Sequence, residues 1–356
     1  MRKLVLVCLI VALACGNNSN QSGNPPPPLG APITGLTAGQ WNWVPFADST
    51  CGDGSPTGIG VNPGTGPDVV FFLNGGGACS SGLTCFGFGP FGATTTLGPF
   101  GEAQFNSEVP SAKGTILDRT LTGNPFADAT LVFVPYSTGD VHGGNRVVTY
   151  TPGGTVHHTG HANIVAFLKR VAPTYPSPRR LVVSGSSAGG FGTLVNYDTF
   201  RSYYPASAVE GFAIDDSGPP LEQNGGSFIQ AGFQSWGITD VLDPLCGPGV
   251  CETDLSKGLA ALIQKYPADR FSLLSWTADS TISGFYLIPV PEFTAQLLKM
   301  TSDVILPSTN ARAFIVVGSH HTMLGAPTNV SQNSVFLLPW LTQQVTSDPA
   351  WSSVIP

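Results

Sequence analysis

The stretch Val182-Val183-Ser184-Gly185-Ser186-Ser187-Ala188-Gly189-Gly190 decides how this chain folds. The apolar run Leu181-Val182-Val183 reads as a buried strand, and Gly192 to Tyr197 as the body of a helix, so strand meets helix across a few small residues. Between them lies Gly-x-Ser-x-Gly, with Ser187 at its centre. A serine raised on a sharp strand-to-helix bend needs small neighbours, because the turn is crowded by both elements. Gly185 and Gly189 leave that room, and Ala188 offers a backbone N–H to a charge forming beside the hydroxyl. A plain Gly/Ser loop is the competing reading in so glycine-rich a chain, and the flanking strand and helix argue against it.

Outward from this bend, further short apolar runs read as strands covered on both faces. These are Val69 to Leu73, Leu131 to Pro135, Gly211 to Ile214, Phe271 to Leu274 and Ala313 to Val317. Ala162 to Val171 and Leu255 to Tyr266 carry apolar residues at helical spacing. Strands alternating with helices predict an α/β fold with a mostly parallel central sheet flanked by helices and rich in loops.

Composition agrees with this and excludes other classes. The chain has 356 residues, 42% hydrophobic and only 10% charged, with 44 Gly and 31 Pro. That core content excludes wholesale disorder, and so few charges leave the wet faces of a helical bundle or coiled coil unprovided for. A net charge of -7 with no Lys/Arg cluster argues against nucleic acid as a partner.

Residues 1-15 read as an export signal: Arg2 and Lys3 precede the apolar Leu4 to Leu13, too short to span a bilayer. The segment ends Ala12-Leu13-Ala14-Cys15, which suits either ordinary cleavage or lipid attachment at Cys15. Residues 16-30, Asn/Ser/Pro-rich, resemble a tether behind a lipidated cysteine, leaving 31-356 as a single catalytic domain. In an oxidising compartment the near neighbours Cys79/Cys85 and Cys246/Cys251 could each close a small loop, and Cys51 is left over.

A lone serine is a weak nucleophile and needs a base and an orienting carboxylate. His320 and His321 follow the apolar run ending at Val317, where a histidine would stand at the carboxyl edge of a sheet. Asp279 follows the strand-like Phe271 to Ser275, giving the chain order Ser, Asp, His of α/β-hydrolases. Asp215 and Asp216 are rival carboxylates, unless they merely cap the loop before Ser217-Gly218-Pro219. His157 and His161 would face one way on a helix and could hold zinc. The glycines around them favour a loop entering a helix instead, and no metal or cofactor is expected. Asn74-Gly75-Gly76-Gly77-Ala78-Cys79 follows an early strand, and its glycines can turn N–H groups toward an oxyanion. A phosphate-cradling loop would need a following Gly-Lys-Ser/Thr, which is absent from the sequence. His142-Gly143-Gly144 reads as at most a loop lining the site.

Together these blocks resemble the pectinacetylesterase/Notum family of serine carboxylesterases. The likeness runs from Cys51-Gly52-Asp53-Gly54-Ser55-Pro56 through the glycine block and Val134-Pro135-Tyr136-Ser137-Thr138-Gly139-Asp140. It continues with Gly185 to Gly190, Trp276-Thr277-Ala278-Asp279 and Ser319-His320-His321-Thr322. The resemblance implies an α/β-hydrolase-like fold with Ser187 as nucleophile, Asp279 as orienting acid and His320 as base, because the family's histidine directly follows the serine matching Ser319. It implies Gly76, Gly77 and Ala188 as oxyanion donors, and a Cys79–Cys85 disulfide pinning the glycine loop. Two departures stand out: Gly77 and Ala78 replace the family's aromatic residue beside that loop, and Ser137 stands where a cysteine is usual.

The implied protein is an exported monomer, lipid-anchored in the cell envelope or secreted, that hydrolyses an O-acyl ester such as an acetylated polysaccharide. The alternatives are a non-catalytic ligand-binding lipoprotein on the same scaffold, a serine hydrolase of lipid or peptide, and a zinc hydrolase built on His157 and His161.

Overall fold

The computed structural model describes residues 27–87, 97–110, 112–222 and 228–356. The expected export segment with Cys15 and most of the expected tether lie outside the described residues.

Eight strands form the main sheet: β1 (Asn42–Thr50), β2 (Pro56–Asn62), β3 (Val69–Leu73), β4 (Thr130–Val134), β7 (Arg180–Ser186), β8 (Glu210–Asp216), β9 (Arg270–Trp276) and β10 (Ala311–Val316). A separate hairpin pairs β5 (Arg146–Thr149) with β6 (Thr155–His158). The order across the main sheet is β1-β2-β4-β3-β7-β8-β9-β10. Only β2 runs against its neighbours, and β3, β4 and β7 to β10 pair in parallel. This is the mostly parallel α/β sheet that the alternating pattern predicts, in the α/β-hydrolase-like form that the resemblance implies.

Alternation within the strands shows why the sheet is covered twice. Val69, Phe71 and Leu73 of β3 and Leu181 and Val183 of β7 pack into one apolar cluster. Val70, Phe72 and Val182, the residues between them, pack into another on the opposite face. The helices are α1 (Gly82–Phe86), α2 (Glu102–Glu108), α3 (Gly160–Thr174), α4 (Ala188–Tyr203), α5 (Phe228–Trp236), α6 (Thr239–Cys246), α7 (Val250–Thr253), α8 (Ser256–Lys265), α9 (Ser280–Tyr286), α10 (Val290–Met300) and α11 (Leu337–Val345). The first face lies under α3, α4, α8 and α10, through Phe167, Phe200, Leu262 and Phe293, and the second under α2 and α11, through Phe105 and Trp340. Among the described residues no helix is long and apolar enough to cross a membrane.

Two regions depart from the sequence reading. β1 and β2 carry no apolar β-branched run, since glycine takes its place in β2 for closeness. A Cβ on Gly58 would stand 2.1 Å from the Val44 carbonyl oxygen, and one on Gly60 2.1 Å from the Phe105 ring. The segment before α3 is a hairpin, so His157 and His158 are consecutive residues of β6 while His161 lies in α3. His157 and His161 therefore share no helical face, and the geometry of the expected zinc rival is absent.

Candidate active site

Ser187 ends β7 and begins α4, with backbone angles φ 61° and ψ −119°, a conformation that side chains other than glycine rarely adopt. The bend is held by its own backbone: the Ser187 N–H donates to Asp216 O at 2.7 Å, and Ser187 O accepts from Gly190 N at 2.9 Å. The need for glycine is steric. A Cβ on Gly189 would sit 1.9 Å from Leu73 O, and one on Gly185 2.3 Å from Gly189 O. The sheet thereby brings the end of β3, which starts the glycine loop, against the serine bend.

That loop, Asn74 to Gly77, and Ser187 line one cavity of about 670 Å³, within the range usual for small-ligand sites. Gly77 holds φ 78°, a left-handed conformation suited to glycine. The loop is braced from behind. Cys79 and Cys85 are disulfide-bonded, Cys79 N donates to Gly139 O at 2.8 Å, and Trp236 Nε1 donates to Cys79 O at 2.6 Å. His142, expected at most to line the site, is buried behind the loop, where its Nε2–H donates to Asn74 O at 2.8 Å. Burial pushes the His142 imidazole below its ordinary value, so it braces the loop in neutral form.

On the far side of the cavity stands His321, whose Nδ1–H donates to Asp279 Oδ2 at 2.7 Å. Asp279 is fully buried at the N-cap of α9, and its Oδ1 accepts from the N–H groups of Thr281 and Ile282, each at 3.0 Å. The cap leaves one carboxylate oxygen for the imidazole and fixes its direction.

The expected pairing of His320 with Asp279 is overturned. Val316 O and Gly318 O accept from Thr277 N and Ala278 N, so the chain beyond β10 is stitched to the chain beyond β9. Leaving that stitch, the two histidines turn to opposite sides. His320 is exposed, its ring edge-on to Trp276 with centroids 4.8 Å apart, and it does not line the cavity.

The rival carboxylates Asp215 and Asp216 end β8 and are buried. Asp215 Oδ1 accepts from Gly218 N at 2.8 Å, whereas Asp216 accepts hydrogen bonds from the serine bend and from the histidine loop, a role the sequence does not signal. His158 is satisfied by Thr138 O and the Tyr150 hydroxyl, and the nearest thiols, Cys79 and Cys85, are joined to each other. Cys246 and Cys251 form the second disulfide. Cys51 is a buried free thiol beside position 137, where Gly52 N donates to Ser137 O at 2.6 Å.

Next to Ser187 lies a second, much smaller void of about 10 Å³. Gly77, Ala78, Val141, Ala188, Phe191, Ile229, Ile282 and Phe285 form its apolar wall. Phe285 borders this void and the large cavity alike. Aromatic bulk missing from the glycine loop is thus supplied from α4 and α9.

Comparison with known proteins adds to this geometry. The model of the pectinacetylesterase family matches residues 43–236, more than half of the chain. Palmitoleoyl-protein carboxylesterase notum2 of Xenopus laevis is 31% identical over 170 residues, 46% of this chain and 33% of that protein. The match spans about a third of that relative's length.

Proposed function

The chain belongs to the pectinacetylesterase family, and from that premise we propose that it is a serine carboxylesterase with Ser187 as nucleophile, His321 as general base and Asp279 as the orienting acid. One observation carries the reading. The 2.7 Å bond between His321 Nδ1 and buried Asp279 stands in the same cavity as a serine on a strained strand-to-helix bend.

The mechanism follows from the parts. With Nδ1–H committed to Asp279, Nε2 of His321 is the nitrogen left to accept the Ser187 proton as the hydroxyl attacks an ester carbonyl. Asp279 stabilises the imidazolium that results. Ala188 is the first residue of α4, so its N–H has no intrahelical acceptor. It joins the N–H groups of Gly76 and Gly77 in stabilising the tetrahedral oxyanion. Collapse expels the alcohol, which takes its proton from His321. Water, deprotonated by the same imidazole, then hydrolyses the acyl-enzyme.

The two spaces beside Ser187 suggest how an ester is divided. The void walled by Ile229, Ile282 and Phe285 is apolar and has room for about one water-sized group, which suits an acetyl methyl and excludes a long acyl chain. The large cavity has a mainly apolar wall in which Asn74, Glu108, Thr115 and Thr281 offer polar contacts, and it has room for a bulky alcohol such as that of an acetylated polysaccharide. Two disulfides support an oxidising compartment. Export with lipid attachment at Cys15 is the location we favour.

Hydrolysis of a short-chain aryl ester and labelling by a fluorophosphonate test the reading. Ser187→Ala should abolish both. Retention of most of the activity by this variant would remove the proposal, as would failure of the active protein to take the label.

A further inference from the structure

Asp216 has side-chain bonds on both halves of the site. It is fully buried at the carboxyl end of β8, next in the sheet to the strand that carries Ser187. Its Oδ2 accepts from the Ser186 hydroxyl at 2.7 Å and from Leu324 N at 3.0 Å, and both its oxygens lie 2.9 Å from Met323 N. Its Oδ1 accepts from the Ser217 hydroxyl at 3.2 Å, and Ser217 Oγ in turn accepts from Thr322 N at 3.1 Å. Its own backbone carbonyl holds the Ser187 N–H.

A buried carboxylate is costly to desolvate and is usually matched by a cation. The molecule has such a pair elsewhere, Asp269 with Arg201, joined at 3.0 Å. Among the described residues no Arg or Lys pairs with Asp216. Its hydrogen-bond donors are instead the hydroxyls of Ser186 and Ser217 and the backbone of Met323 and Leu324, which follow His321. Burial raises the Asp216 carboxyl above its ordinary value, against which the hydrogen bonds from Leu324, Met323 and Ser186 and the charge of His321 favour its ionised form. An apolar residue could fill the same space at no desolvation cost, but it would leave the N–H groups of Met323 and Leu324 without these acceptors.

We propose that Asp216 is a positioning carboxylate that locks the segment carrying His321 to the bend carrying Ser187, and so fixes the reach from imidazole to hydroxyl. Asp279 sets the tautomer and direction of the ring, and Asp216 sets where the ring's backbone stands. This inference rests on the esterase reading and adds a fourth residue to it, one that touches neither substrate nor reacting atoms.

The test uses the whole protein and an aryl acetate. Asp216→Asn keeps the size of the side chain, but its amide presents a donor to N–H groups that need an acceptor. It should lower kcat about 100-fold with KM within about twofold, because ground-state binding does not depend on the serine–histidine reach. The rate of fluorophosphonate labelling of Ser187 should fall in parallel. Combined with Asp279→Asn, the loss should be well below the product of the two separate losses, since both act through His321. Wild-type kcat in folded Asp216→Asn overturns the inference, and so do losses that multiply. If that variant does not fold, Ser217→Ala removes the hydroxyl that links Thr322 N to Asp216 and leaves the other bonds of Asp216 in place; it should lower kcat about tenfold at unchanged KM, and no loss there overturns the inference. Activity surviving Ser187→Ala would instead sink the esterase reading, whatever Asp216 does.

Discussion

At the scale of single residues the site turns on which of two adjacent imidazoles faces inward. His321 is hydrogen-bonded to a carboxylate that is itself held by two backbone N–H groups, so neither partner can swing away without leaving buried polar atoms unmatched. His320 lies in solvent against Trp276. Replacing His321 by Ala should reduce kcat by on the order of 10⁴-fold or more, the scale seen when a triad member is removed. His320→Ala should leave kcat within about threefold. Steady-state kinetics on the two variants decides the assignment, and the reverse ranking would return the base to position 320. The Ser319-His320-His321-Thr322 motif announces a histidine here but not which one. Its spacing from β10 is the same to within one residue, and the choice lies in loop dihedrals imposed by the bonds to Thr277 and Ala278.

At the scale of elements, each part of the candidate site stands at the carboxyl end of a parallel strand: the glycine loop after β3, Ser187 after β7, Asp279 after β9 and His321 after β10. The apolar runs in the sequence reveal β3, β4, β7, β8, β9 and β10, because strands buried on both faces are rich in Val, Ile, Leu and Phe. β1 and β2 escape that signal, since Gly58 and Gly60 serve close packing rather than burial. β8 bears a cost of its own. Burial lifts the Asp215 carboxyl well above its ordinary range, so the folded chain keeps this proton to higher pH than the unfolded chain does. Stability from this group is therefore complete below the unfolded carboxylate value, near 3.8, and is lost as pH rises through the lifted folded value. Asp215→Asn removes the titration while keeping an acceptor for Gly218 N. Each tenfold change in proton affinity is worth about 1.4 kcal/mol. Wild type should therefore lose at least about that much stability relative to Asp215→Asn between pH 4 and pH 8, measured by urea unfolding. A constant difference across the range would contradict the raised value.

At the scale of the whole molecule, the sheet brings five separated segments to one rim and leaves two unequal spaces beside the serine. Phe285, from the helix that Asp279 caps, stands between them. Phe285→Ala should merge the small void with the large cavity and admit longer acyl chains. A buried methylene is worth about 0.8 kcal/mol, so two newly accommodated ones should raise kcat/KM for a butyl-length or longer acyl ester about tenfold relative to acetate. Comparing p-nitrophenyl esters of increasing length checks this. An unchanged chain-length profile would mean that Phe285 does not bound the acyl group.

The sequence by itself determined what local chemistry can write. An uninterrupted apolar run means a doubly covered strand, glycines at 185 and 189 mean a bend with no room for a side chain, and two close pairs of cysteines mean two short loops, now seen closed. Only the tertiary structure decided which histidine meets Asp279, that His142 braces the glycine loop, and that Asp216 joins the two halves of the site. Those three depend on contacts between residues 42, 68 and 107 positions apart along the chain. Motif and periodicity report the surroundings of a residue along the backbone, whereas the direction of a side chain at a sheet's rim is set by whatever the remote chain leaves unpaired.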